Sequence, residues 1–177
     1  MFVDSAAGRD AILALDDPLL LAQCDVHTYR SSGPGGQKKN KTDSAVRLKH
    51  RPTDVSAVAT ESRSQHENRA RALRRLRLAI ALHVRRPIDV TTYRRGATLA
   101  ECVRDAHIHV GRKDGRFNPV AAEVLDVLAA CGVRVSTAAS AMGLTTAGLV
   151  AFLQTEPQLW RRVNEMRTAA GLTQLRT

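Results

Sequence analysis

The run Ser31-Ser32-Gly33-Pro34-Gly35-Gly36-Gln37-Lys38-Lys39-Asn40-Lys41 packs three glycines and a proline into four positions. One neutral amide follows, then three lysines around an Asn. Gln37 does not titrate near neutral pH, so it is no general acid or base. Its side chain donates and accepts hydrogen bonds, and its backbone N–H is a further donor. Such a group stabilises a developing oxyanion or places a water. Gly35 and Gly36 have no side chains, so the backbone there can approach a partner closely and adopt positive φ. Lys38, Lys39 and Lys41 suit a phosphate backbone. The expectation is a loop that delivers a neutral amide into a reaction centre made mostly of nucleic acid.

The flanking sequence must hold that loop. Asp4 to Gln23 reads as a helical lead-in broken at Pro18. Cys24 to Arg30 alternates as a strand, and so does Ser44 to His50, with Val46 and Leu48 opposed to Arg47 and Lys49. Pro52-Thr53-Asp54 signals a turn, and Val55 to Thr60 a third strand. Ser64-Gln65-His66-Glu67 is a capping box opening a long helix to about His83. Leu73, Leu76, Ala79 and Ile80 share one arc of that helix, with Arg71, Arg74 and Arg75 opposite. Arg69 projects into the apolar arc, where a guanidinium needs a partner or the rim.

Four segments are expected: a lead-in over 1–23, a sheet-and-helix domain over 24–84, a basic connector over 85–117 and a helical C-terminal domain over 118–177. The connector is read with a strand-like piece at Ile88 to Tyr93 and a short helix near Leu99 to Cys102. Beyond it, Pro119 to Cys131 is an amphipathic helix followed by Gly132. Ser136 to Met142, Gly143 and Thr145 to Gln154 read as helix–turn–helix, and Pro157 to Ala170 as a last helix. The fold class is α+β: a small antiparallel sheet with a packed long helix, followed by a small all-α unit.

The net charge of +10 attracts polyanions, of which nucleic acid is the commonest. The charge is localised. Residues 1–23 carry −3 and residues 118–177 carry +1, which leaves +12 on residues 24–117. Cys24, Cys102 and Cys131 are odd in number and form no CxxC pair, so neither a disulfide framework nor a zinc site is suggested. His107 and His109 alone do not make a metal site, and no metal or cofactor is expected. No apolar run approaches a membrane span, and a reducing cytoplasm is the expected location.

Three linked runs carry a resemblance: Tyr29 to Gln37 continuing through Asn40 to Arg47, His50-Arg51-Pro52-Thr53, and Arg63 to Arg69. Together they resemble the GGQ domain of bacterial class I peptide chain release factors, over about residues 24 to 84. The resemblance implies a loop that enters the peptidyl transferase centre of the ribosome. There Gln37 would coordinate water for attack on the peptidyl-tRNA ester, its backbone N–H would help stabilise the transition state, and Gly35 and Gly36 would permit the loop shape. Arg30, Ser32, Lys38, Lys39, Asn40 and Lys41 would hold the loop against RNA, with Arg47 and Arg63 beside them. Arg85, Arg86, Arg94 and Arg95 of the connector, with Arg112 and Lys113, are candidates for additional RNA contact. The resemblance also implies ribosomal RNA and peptidyl-tRNA as partners and a glutamine methyltransferase acting on Gln37 to give N5-methylglutamine. A monomer is expected.

The sequence departs from the family in three places. Lys38-Lys39 replaces the usual His-Val, Asp54 the usual Gly of the turn, and Ser62 the usual Glu before Arg63. Release factors read stop codons with a separate domain preceding the GGQ domain, and residues 1–23 are too short to be one. Codon-independent hydrolysis is therefore expected, of the kind that rescues stalled ribosomes or split large subunits. The basic disordered tail of the best-known rescue factors has no counterpart in the nearly neutral 118–177. Two other classes stay open: a non-catalytic ribosome or RNA binder, and a helix–turn–helix DNA-binding regulator. Against the last, Thr145 to Gln154 contains no Lys or Arg.

Overall fold

The computed structural model describes residues 6–30 and 44–176. They fall into two compact units, Ala7–Val84 and Arg85–Thr177.

The first unit opens with helices α1 (Ala6–Ala14) and α2 (Asp17–Ala22). The helix breaks at Leu15-Asp16, where Asp16 caps α2 by accepting from the Leu19 N–H at 2.8 Å. Pro18 sits inside the first turn of α2, where its missing N–H costs nothing. Three strands follow, β1 (Cys24–Tyr29), β2 (Ala45–His50) and β3 (Ser56–Ala59), in an antiparallel sheet of order β1-β2-β3. The register pairs Val26 with Leu48, Thr28 with Val46 and Tyr29 with Ala45. The long helix α3 (Gln65–His83) packs on β2 and β3. Val46, Leu48, Ala59, Leu73, Leu76 and Ile80 form the core between them. β1 lies at the sheet edge, and its Val26 remains 39% exposed.

Besides the helix break at Leu15-Asp16 in place of Pro18, the first unit differs from the sequence reading in two details. The lead-in is built into this unit: Arg77 of α3 donates to the Leu13 carbonyl and pairs with Asp17 at 2.8 Å, and Arg9 donates to the Val84 carbonyl. The capping box is half made. Ser64 Oγ accepts from the Glu67 N–H at 3.3 Å, but the Ser64 N–H donates to Ser62 Oγ, and Glu67 pairs with Arg71 instead.

The second unit contains α4 (Ala97–Cys102), the short hairpin β4 (Val103–Arg104) and β5 (His107–Ile108), and four helices: α5 (Phe117–Ala130), α6 (Val135–Ala141), α7 (Thr146–Gln154) and α8 (Pro157–Ala169). Every residue of α5 from Val120 to Leu128 is buried. Residues 85–117 are thus part of the helical unit, and 117/118 is no boundary within it.

Two buried carboxylates of α5 explain this. Asp126 is 1% exposed; it accepts from Arg85 Nη1 at 2.8 Å and from the Arg86 N–H at 3.0 Å. Glu123 accepts from the Tyr93 hydroxyl at 2.7 Å and the Gly96 N–H at 2.8 Å. Burial, and then this bond, push the Tyr93 hydroxyl far above its usual pKa. Satisfying both acids pins 85–96 onto α5. Ile88 to Tyr93 forms no strand. Asp89 accepts from both the N–H and the hydroxyl of Thr91, a local turn that competes with an extended ladder.

Candidate functional site

The segment 31–43 joins β1 to β2, and its residues lie outside those the structure describes. Gly35, Gly36, Gln37, Ser32, Lys38, Lys39, Asn40 and Lys41 all fall in it. What is described is the frame that holds its two ends. Tyr29 and Ala45 are paired across the hairpin, so Arg30 and Ser44 leave the sheet side by side.

The Ser44 end is fixed by Asn68, which sequence reasoning passed over. Asn68 is fully buried in the first turns of α3. Its Nδ2 donates to the Ser44 carbonyl at 2.6 Å and to the Ser62 carbonyl at 2.8 Å, and its Oδ1 accepts from the Ser62 N–H at 2.9 Å. One side chain therefore ties together the end of the glycine-rich segment, the turn before α3 and the helix. A signal was present: Asn68, Ala72 and Leu76 follow one another at four-residue spacing, which puts a polar amide in an apolar row.

His50 fixes the other end of β2. Its ring is buried, with Nδ1 at 2.8 Å from Thr53 Oγ1 and Nε2 at 2.9 Å from Gln23 Oε1. The Gln23 carbonyl can only accept, so Nε2 carries the proton and Nδ1 accepts from the Thr53 hydroxyl. Burial, then the nearby Arg51 charge, lower the His50 pKa below the usual imidazole value. The ring is thus a neutral strut joining α2, β2 and the following turn. Asp54 completes the turn at φ +58°, the left-handed conformation that glycine adopts freely.

The expected cations divide between the two units. Arg30, Arg47 and Arg63 are exposed on the first unit, and all three border the ends of 31–43. The Arg47 guanidinium lies 5.9 Å from the centre of the Tyr29 ring, a cation–π contact that holds it beside the hairpin end. Arg85, Arg86, Arg94 and Arg95 belong to the second unit. Arg85 is 14% exposed; it donates to Asp126 and to the Ala122 carbonyl, so it holds that fold together instead of facing a polyanion. Arg94 and Arg95 are exposed.

The helix–turn–helix spacing is real: α6 and α7 pack together with Gly143 between them. The start of α7 is occupied, however. The Ala106 carbonyl accepts from the Thr145 N–H at 3.0 Å, and a Cβ on Gly148 would come within 2.8 Å of that same carbonyl. The β4–β5 turn is therefore seated on the first turn of the helix that would read a DNA groove. Among the described residues no group of His, Cys, Asp and Glu could hold a metal ion, and no single helix is long and apolar enough to cross a membrane.

Comparison with known proteins shows what the unit with this hairpin, third strand and covering helix is similar to. Residues 20–101 match the RF-1 domain. Peptide chain release factor 2 of Paramagnetospirillum magneticum is 55% identical over 56 residues, which is 32% of this chain and 15% of that protein. Peptide chain release factor 1 of Caulobacter vibrioides is 52% identical over 64 residues, 36% of this chain and 18% of the relative. Peptide chain release factor 1 of an Arthrobacter species is 44% identical over 89 residues, 48% of this chain and 25% of the relative. Residues 20–101 are thus similar to the RF-1 domain that these peptide chain release factors carry. The chain matches a quarter or less of the length of these relatives.

Proposed function

We propose that the protein hydrolyses the ester of peptidyl-tRNA in the ribosomal peptidyl transferase centre without reading a stop codon, in rescue of stalled ribosomes or split large subunits. The observation that carries this reading is Gly35-Gly36-Gln37, intact in a chain whose flanking hairpin and helix have the RF-1 arrangement. Gln37 orients the attacking water, and its backbone N–H stabilises the developing charge. Ribosomal RNA and the tRNA supply the remaining groups. Arg30, Ser32, Lys38, Lys39, Asn40 and Lys41, with Arg47 and Arg63, hold the segment on RNA, while Arg94 and Arg95 add contact from the second unit. Gln37 is the residue a glutamine methyltransferase would modify.

The test is release of labelled peptide from four complexes: mRNA truncated at the P site, a sense codon with a long 3′ extension, a stop codon, and isolated large subunits with bound peptidyl-tRNA. Release on the truncated or split complexes, lost in Gln37→Ala with the fold intact, is expected. Release confined to stop codons overturns the codon-independent part. Undiminished release by Gln37→Ala overturns the assigned chemistry.

A further inference from the structure

Of the five arginines of α3, three are matched to acceptors and one faces water. Arg71 pairs with Glu67, Arg75 with Glu61 and the Val58 carbonyl, and Arg77 with Asp17 and the Leu13 carbonyl. Arg74 is exposed. Arg69 differs from all four. It heads the row Arg69, Leu73, Leu76, Ile80, whose other members are buried in the core. Its side chain is half-buried, and its Nε is dry and has no hydrogen-bond partner among the described residues. A buried N–H left without an acceptor is destabilising, and a Met or Leu would fill the same place without that cost.

The location gives the unmatched group a use. Asn68 gathers Ser44, Ser62 and the start of α3 into one knot. Arg63 follows Ser62 in the chain and Arg69 follows Asn68, so both guanidiniums issue from the knot that ends the glycine-rich segment. Arg63 is exposed. A guanidinium fork fits phosphate oxygens, and the charge of +12 on residues 24–117 points to a polyanion.

We infer that Arg69, assisted by Arg63, binds a backbone phosphate of RNA at the base of the 31–43 segment and so fixes where Gln37 is delivered. Arg69 is a positioning residue, and the inference deepens the ribosomal reading, on which it rests for the source of the RNA.

The experiment compares the full-length chain with Arg69→Met and Arg69→Lys. Affinity for large ribosomal subunits carrying peptidyl-tRNA is measured across a KCl series, together with the half-saturating concentration and maximal rate of peptide release. A fluorescent single-stranded RNA serves as a second probe, and the thermal midpoint of the free protein is recorded. Arg69→Met is expected to weaken binding on the order of tenfold and to lower the salt slope by about one. Its half-saturating concentration rises more than its maximal rate falls, and its thermal midpoint is equal to or above that of the wild type. Arg69→Lys retains part of the affinity. An unchanged salt slope, or a lowered midpoint with binding intact, overturns the inference, because the acceptor then lies within the chain. A wild type that releases no peptide overturns the ribosomal reading instead, and the slope against single-stranded RNA still decides the role of Arg69.

Discussion

Asn68→Ala tests whether the frame of the glycine-rich segment depends on one side chain. The amide makes three hydrogen bonds, at 2.6, 2.8 and 2.9 Å, to two separate stretches of backbone. Removing it leaves the Ser44 carbonyl in a buried setting without its donor, at about 2 kcal/mol. The two Ser62 groups are partly exposed and recover some hydration, so each costs about 1 kcal/mol. The sum, about 4 kcal/mol, is a large share of the about 5–15 kcal/mol that stabilises a domain. Hydrogen exchange read on β2 and α3 isolates the unit concerned. Amides there that exchange through opening of the unit should lose about three decades of protection. The thermal midpoint of the unit should fall by about 15 °C or more. Asn68→Asp sharpens the test: it keeps the acceptor for the Ser62 N–H but turns a carboxylate oxygen toward two carbonyls. It should be no better than Ala at neutral pH and should recover as the carboxyl protonates. A loss of protection below tenfold in Asn68→Ala would refute the reasoning, since the knot would then be held by backbone packing alone.

Three further outcomes are expected. His50 has a pKa below the unfolded value of about 6.5, so the unfolded chain takes up its proton first; stability is full above about pH 6.5 and declines below it, toward the lowered folded value. Urea midpoints measured from pH 5 to 8 should show that slope, and His50→Gln should remove it. Asp54→Gly relieves a left-handed backbone by about 1 kcal/mol and gives up the Lys49–Asp54 ion pair, so its thermal midpoint should exceed the wild type's at high salt and approach it at low salt, with Asp54→Ala lower than either. Asp126→Ala takes the buried carboxylate from Arg85 and the Arg86 N–H and should destabilise the Arg85–Thr177 unit by about 3–5 kcal/mol, read as lost protection in α5; no change would mean that 85–96 is held by other contacts.

The sequence alone carried the first unit far. Strict alternation in Val46, Arg47, Leu48 and Lys49, glycine punctuation and a Ser N-cap are local signals, and each strand and helix they announced is present within a residue or two. The expected site chemistry rests on residue type alone, a neutral amide among glycines and lysines, and its residues lie outside those the structure describes. The tertiary structure decided what those signals could not. Asn68 and Glu67 are both polar residues in the first turns of α3, yet one is buried in a three-bond knot and the other pairs on the surface; only the position of Ser44 and Ser62 separates them. Arg85 counted as surface charge until the burial of Asp126 claimed it. Ile88 to Tyr93 was read as strand-like, but Arg85 and Arg86 before it are tied to Asp126, and Tyr93 and Gly96 at its end to Glu123, and satisfying buried charge outweighs a weak local preference for extended backbone. Periodicity reports which face of an element is apolar; it does not report which distant group will meet a buried polar atom, because that is set by how the elements pack.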